Sequence, residues 1–142
     1  MISTTENCIF CKMINHEKSA NIVYENDLVC CLLADEPINE GHMLIVPKKH
    51  YLDLDEMDDK TCKEIMALSK IMVKILKNTY KPDGYSIMQN GGTFNNMGHY
   101  NMHLFPRYKG DSFSWSYGEE DNSTLTIVKE KIQQQLKEYI VK

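Results

Sequence analysis

The stretch Ile22-Val23-Tyr24-Glu25-Asn26-Asp27-Leu28-Val29-Cys30-Cys31-Leu32-Leu33-Ala34 decides the fold class. Two β-branched or apolar runs, 22–25 and 28–34, flank Asn26-Asp27, a good turn pair, and predict a β-hairpin. Beyond it, Glu40-Gly41 leads into His42-Met43-Leu44-Ile45-Val46, a third strand closed by Pro47. Residues 85–89 predict a fourth strand and residues 99–105 a fifth, stopped by Pro106. Residues 8–15 read as a short helix or turn. Asp58-Asp59 opens a long helix to about Tyr80, with acidic residues where the helix dipole favours them, and Pro82-Asp83-Gly84 ends it. Its apolar positions Cys62, Ile65, Met66, Met72, Val73, Leu76 and Tyr80 recur at three- and four-residue spacing, with Met66 and Met72 read as core. Leu125, Val128, Ile132, Leu136, Tyr139 and Ile140 describe an amphipathic C-terminal helix. Consecutive strands on short turns give an α+β fold: an antiparallel five-stranded sheet with one long helix and a C-terminal helix.

The chain has 142 residues, 42% hydrophobic and 25% charged, with seven Gly and four Pro. That is a globular composition, and without an internal repeat or linker it predicts one domain over 1–142. The longest apolar runs fall far short of the ~18 residues of a membrane span, and residues 1–7 have neither a basic nor an apolar segment of a secretory signal. Sixteen basic against 20 acidic side chains give a net charge of −4. Such a chain lacks the basic footprint of a non-specific nucleic-acid binder, so an anionic ligand requires a local pocket.

The five cysteines, an odd number, read as free thiols in a reducing, cytoplasmic compartment. Cys30, Cys31 and Cys62 lie in apolar stretches and are expected to be buried. Cys8 and Cys11 form C-x-x-C, a spacing equally suited to a metal ion, a redox pair or chance unless further ligands join them. His16, His42, His50, His99 and His103 are the available histidines.

The segment His99-Tyr100-Asn101-Met102-His103-Leu104-Phe105 carries the chemistry. Alternation along a strand projects His99, Asn101 and His103 from one face and Tyr100, Met102 and Leu104 from the other. Three polar side chains in a row, backed by apolar ones, suit a site on a rigid element. The loop before them, residues 90–98, has three glycines, three asparagines and a threonine. It is read as bringing backbone N–H groups and amides toward phosphate oxygens.

With these residues the chain resembles the histidine triad (HIT) family, whose signature alternates three histidines with apolar residues. The likeness extends through Cys8–Ile14, Val23-Tyr24-Glu25, Gly41-His42 to Pro47-Lys48-Lys49-His50, and Pro106-Arg107-Tyr108. It covers roughly 7–110, leaving a C-terminal helical extension at about 122–142. The resemblance implies the family's antiparallel sheet and homodimer, and nucleotide hydrolase or nucleotidyltransferase chemistry at the α-phosphate of dinucleoside polyphosphates or nucleoside phosphoramidates. The middle triad histidine is the nucleophile of that covalent route. Here that position is Asn101, a carboxamide that is neither nucleophile nor base, and losing a nucleophile costs on the order of 10⁶ in turnover. The chain is therefore expected to bind and hardly turn over. Asn101 is either a deliberate His→Asn substitution, the favoured reading, or the mark of a natural nucleotide-binding sensor.

The resemblance also implies a structural zinc ion on Cys8, Cys11, His50 and His99. It places His103 on a phosphate oxygen, and Asn90, Asn95 and Asn96 near phosphate or ribose. His42 is either a hydrogen-bond partner beside the site or a satisfied structural histidine. At the ribose-gripping position stands Ala34, so either Asp35 substitutes or that contact is lost. Arg107 is expected in a surface ion pair and His16 in solvent. A zinc-stabilised interaction domain without a ligand is the third reading.

Overall fold

A computed structural model describes residues 5–118 and 124–140, so the ends of both terminal segments read above lie outside the described residues. The chain divides into two compact units between Ser112 and Phe113. In the first, β1 (Ile22–Glu25) and β2 (Val29–Leu33) form the expected hairpin. Asn26 builds its turn, with Oδ1 accepting the N–H groups of Leu28 (2.9 Å) and Val29 (3.0 Å). β3 (Met43–Pro47), β4 (Gly84–Gln89) and β5 (Met102–Arg107) complete a five-stranded antiparallel sheet in the order β1-β2-β3-β5-β4.

Two prolines lie inside this sheet, and neither removes a ladder bond. The carbonyl of Pro106 accepts from Asn39 Nδ2 (2.8 Å), and that of Pro47 lies 2.8 Å from His99 Nε2. A strand residue points its N and its C=O to the same side, so each proline turns its missing donor away from its paired neighbour. β5 consequently runs through Pro106 to Arg107 and does not stop there. It also starts later than the apolar alternation suggests, at Met102. Residues 99–101 form a lead-in outside the ladder that keeps the alternation of faces, its Tyr100 N–H donating to the Tyr51 carbonyl at 2.7 Å.

One face of the sheet packs against the long helix α2 (Asp59–Tyr80). Val29, Cys31, Met43, Ile45, Met102 and Leu104 meet Ile65, Leu68, Met72 and Leu76 there, and Tyr100 joins the same cluster. Burying each large apolar side chain is worth ~1.5–3 kcal/mol. Asp58 caps α2 by accepting the Thr61 N–H at 2.8 Å, and Lys81 ends it in the left-handed conformation just before Pro82. Met66, expected in the core, is 55% exposed. The buried stripe runs through Ile65, and its neighbour in sequence points about 100° away. The opposite face of the sheet packs α1 (Ile9–Ile14) onto Cys30, Leu32, Leu44 and Val46 through Phe10 and Met13.

Gly41 bends the chain into β3 with φ +94°, and a Cβ there would lie 2.5 Å from the Tyr80 ring. The second unit carries α3 (Leu125–Tyr139), whose Leu125, Val128, Ile132, Leu136 and Tyr139 form one apolar stripe. No described helix is long and apolar enough to cross a membrane.

Candidate functional site

The α1 face of the sheet gathers the residues singled out by sequence. Cys8 is the N-cap of α1 and its Sγ accepts the Cys11 N–H at 3.4 Å, so one helical turn brings both thiols together. His50, just past β3, and His99, just before β5, close the group. His99 Nδ1 lies 3.3 Å from Cys8 Sγ, 3.6 Å from Cys11 Sγ and 3.3 Å from His50 Nδ1, and Cys11 Sγ is 3.3 Å from His50 Nδ1. The Pro47 carbonyl can only accept, so His99 Nε2 carries the hydrogen and Nδ1 turns its lone pair inward.

Metal–nitrogen bonds of ~2.0–2.1 Å and metal–sulfur bonds of ~2.3 Å in a tetrahedron set nitrogen–nitrogen and nitrogen–sulfur pairs about 3.3–3.6 Å apart, the range of the four separations above. Burial and the neighbouring Cys8 push the Cys11 thiol up to about 12, and burial pushes His99 down to about 4. A divalent cation is what would turn such neutral groups into a thiolate-imidazole cage. His50 Nε2 is buried with no hydrogen-bond partner among the described residues, so its Nδ1 contacts and the edge-on His99 ring orient it. The donor set fits one tetrahedral metal ion.

Asn101 and His103 follow on the same face. His103 sits opposite Leu44 in the β3–β5 ladder, and His42, at the threshold of β3, is its diagonal neighbour. The Ile38 N–H donates to His42 Nδ1 at 3.0 Å, which leaves His42 its hydrogen on Nε2. That nitrogen is 2.9 Å from His103 Nδ1. Burial, with the adjacent His103, pushes His42 down to about 4, and burial lowers His103 too, so both rings are neutral near pH 7. The relay runs Ile38 N–H to His42 and His42 Nε2–H to His103 Nδ1, and it puts the remaining hydrogen of His103 on Nε2. His42 is therefore a hydrogen-bond partner of the site, packed also against the Phe105 ring.

The Asn101 amide is equally determined. Asn95 donates from Nδ2 to the carbonyls of Leu52 (3.2 Å) and His99 (3.3 Å) and accepts the Met97 N–H on Oδ1 (3.1 Å). Asn101 Nδ2 donates to the His99 carbonyl (2.9 Å) and to Asn95 Oδ1 (3.3 Å). Its own Oδ1 has no partner among the described residues, although the residue is 94% buried.

A cleft of about 460 Å³ opens over this face, within the usual range for small-molecule sites. Asn90, Asn95, Asn96, Asn101, His42 and His103 line it, with Asp35 and Glu36 at one lip and Phe10, Met13, Leu32 and Leu44 as an apolar wall. No Lys or Arg is among the described residues lining it. Arg107 forms the expected ion pair, with Asp111 at 2.7 and 2.8 Å, but it is largely buried and not on the surface; His16 is exposed, as expected.

The glycines before the triad do not line the cleft. The Gly92 N–H donates to Asp53 (3.0 Å), so this carboxylate holds a backbone donor that a phosphate would otherwise need. Sequence reasoning missed Asp53 because it lies 39 residues away. It missed Ile38 because a backbone N–H leaves no side-chain signal.

A family model described as the HIT domain matches residues 15–110. An uncharacterized HIT-like protein of Methanocaldococcus jannaschii is 41% identical over 88% of this chain and 98% of its own length. An adenosine 5′-monophosphoramidase of Candida albicans is 31% identical over 91% of each chain. The crystal structure of a HIT family member from Bacillus subtilis superposes with a TM-score of 0.80 at 28% identity, covering 90% of this chain and 96% of that one.

Proposed function

This chain belongs to the HIT domain family, and from that premise we propose that its cleft binds a nucleotide with the α-phosphate at Asn101 and His103. The carrying observation is the pair itself, adjacent on one face, in a cleft whose apolar wall suits a base and where His103 offers a fixed Nε2–H. Asp35, exposed among the residues lining the cleft, is the carboxylate offered to ribose hydroxyls, and the amides of Asn90 and Asn96 line the same cleft. The acidic lip and the absence of a cation among the described lining residues favour a singly charged phosphoramidate over a dinucleoside polyphosphate. The name of the Candida albicans relative agrees with that preference.

In the family's chemistry a histidine at position 101 attacks phosphorus; a carboxamide does not. This chain holds its ligand without turning it over. Cys8, Cys11, His50 and His99 would hold a zinc ion, which supplies a cross-link between α1, the end of β3 and the approach to β5. A closed four-ligand set leaves no open position for substrate, so the ion fixes the site only. A homodimer is supported by the open outer edge of β4, where Tyr85 and Ile87 are exposed.

The test is Asn101→His. Turnover of adenosine 5′-phosphoramidate should appear from a background lower by a factor on the order of 10⁶. A variant that binds the nucleotide and stays inert favours the second reading, a natural nucleotide sensor. The settled Asn101 hydrogen-bond network is the observation on that side. A chain that binds no nucleotide in either form overturns both readings.

A further inference from the structure

The cleft floor presents two groups of opposite hydrogen-bonding character, each fixed by a determined network. Asn101 cannot turn its amide. Its Nδ2 stands between two acceptors, the His99 carbonyl at 2.9 Å and Asn95 Oδ1 at 3.3 Å. Asn95 cannot exchange its own ends either, because its oxygen serves the Met97 N–H and its nitrogen serves two carbonyls. Flipping Asn101 would set oxygen against oxygen at both contacts, so its Oδ1, unpartnered on a residue 94% buried, is left for whatever occupies the cleft. His103 is fixed the opposite way, as a donor on Nε2, by the relay that starts at the Ile38 N–H.

We infer that Asn101 is a specificity-determining acceptor: the cleft selects nucleotides whose α-phosphorus carries an N–H donor beside an oxygen, and disfavours those presenting oxygen acceptors alone. This rests on the nucleotide reading above and goes further, since it assigns a discriminating role to the carboxamide. Alternate residues of a strand stand ~6.6 Å apart. One tetrahedral phosphoryl group with a hydrogen bond on either side covers that span. A phosphoramidate satisfies both groups, its oxygen accepting from His103 Nε2–H and its nitrogen donating to Asn101 Oδ1. A phosphodiester of equal charge satisfies His103 but sets a lone pair against Oδ1, which is then desolvated with no bond made. Leaving one buried acceptor unmet costs enough to weaken binding about 10- to 100-fold.

The experiment compares two adenosine ligands of the same charge by titration calorimetry at pH 8: adenosine 5′-phosphoramidate, and the methyl ester of adenosine 5′-monophosphate, which has no donor on phosphorus. The unchanged chain should bind the first at least about 10-fold more tightly. Asn101→Ala should bring the ratio to about one because alanine has no acceptor, and Asn101→Ser should do so where the alanine variant folds poorly, because a rotating hydroxyl donates to an oxygen as readily as it accepts an N–H. Equal binding of both ligands by the unchanged chain overturns this inference and leaves the nucleotide reading standing. A ratio that survives loss of the carboxamide also overturns it, and failure of both ligands to bind overturns the two together.

Discussion

Nε2 of His42 lies 2.9 Å from Nδ1 of His103, and the Ile38 N–H on the far side of the His42 ring decides which of them donates. A backbone amide outside the sheet thus sets the face that His103 shows to the cleft. His42→Ala should free the His103 tautomer and weaken nucleotide binding about 10-fold, read by calorimetry. It should also cost about 2–3 kcal/mol in urea unfolding, because the Ile38 N–H and a buried ring nitrogen lose their partners. Unchanged affinity would separate the relay from recognition.

The same pair makes stability depend on pH. His42 falls from an ordinary 6.5 to about 4 in the folded chain, and His103 is lowered too. Between those values the unfolded chain binds the extra proton and the folded chain does not. Stability is full above about pH 6.5 and declines as the pH drops toward 4. The contribution of His42 is at most about 3 kcal/mol. Urea midpoints from pH 7.5 to 4.5 should fall for the unchanged chain and fall less for His42→Ala.

Elemental analysis should find one zinc ion per chain. Chelation should lower the thermal midpoint by about 10 °C, because the ion ties together segments far apart in sequence. Cys11→Ser should bind less metal and melt near the chelated midpoint. A melt indifferent to chelator, with metal-free protein to begin with, would refute the zinc site.

Two glycines offer a matched contrast. Gly41→Ala places a methyl 2.5 Å from the Tyr80 ring at φ +94° and should cost about 2 kcal/mol or more, shifting the turn that carries His42. Gly84→Ala meets nothing within 4 Å and should stay within about 0.5 kcal/mol of the original. Denaturant midpoints measure both.

The elements legible in sequence are those set by local chemistry. Asn26 announces the hairpin because its side chain makes the turn, and Asp58 announces α2 because its carboxylate caps it. The shared face of His99, Asn101 and His103 follows from alternation alone. The grouping of Cys8, Cys11, His50 and His99 is legible only through resemblance, since C-x-x-C without its distant histidines fits several chemistries.

What escaped depends on partners far along the chain. Met66 and Ile65 fit the same spacing, and only the packed sheet chooses between them. The start of β5 waits on where β3 and β4 can pair with it. The glycine loop looked free for a ligand until Asp53 occupied Gly92.

The central strand β3 and its neighbour β5 are joined by only three paired residues each, Met43–Ile45 against Met102–Leu104. Past that short seam the rungs are side-chain rivets: His99 on Pro47 at one end, Asn39 on Pro106 at the other. Loosening the rivet at His99 should therefore part β3 from β5 before any other seam opens, with deuterium entering the facing amides of those two strands together.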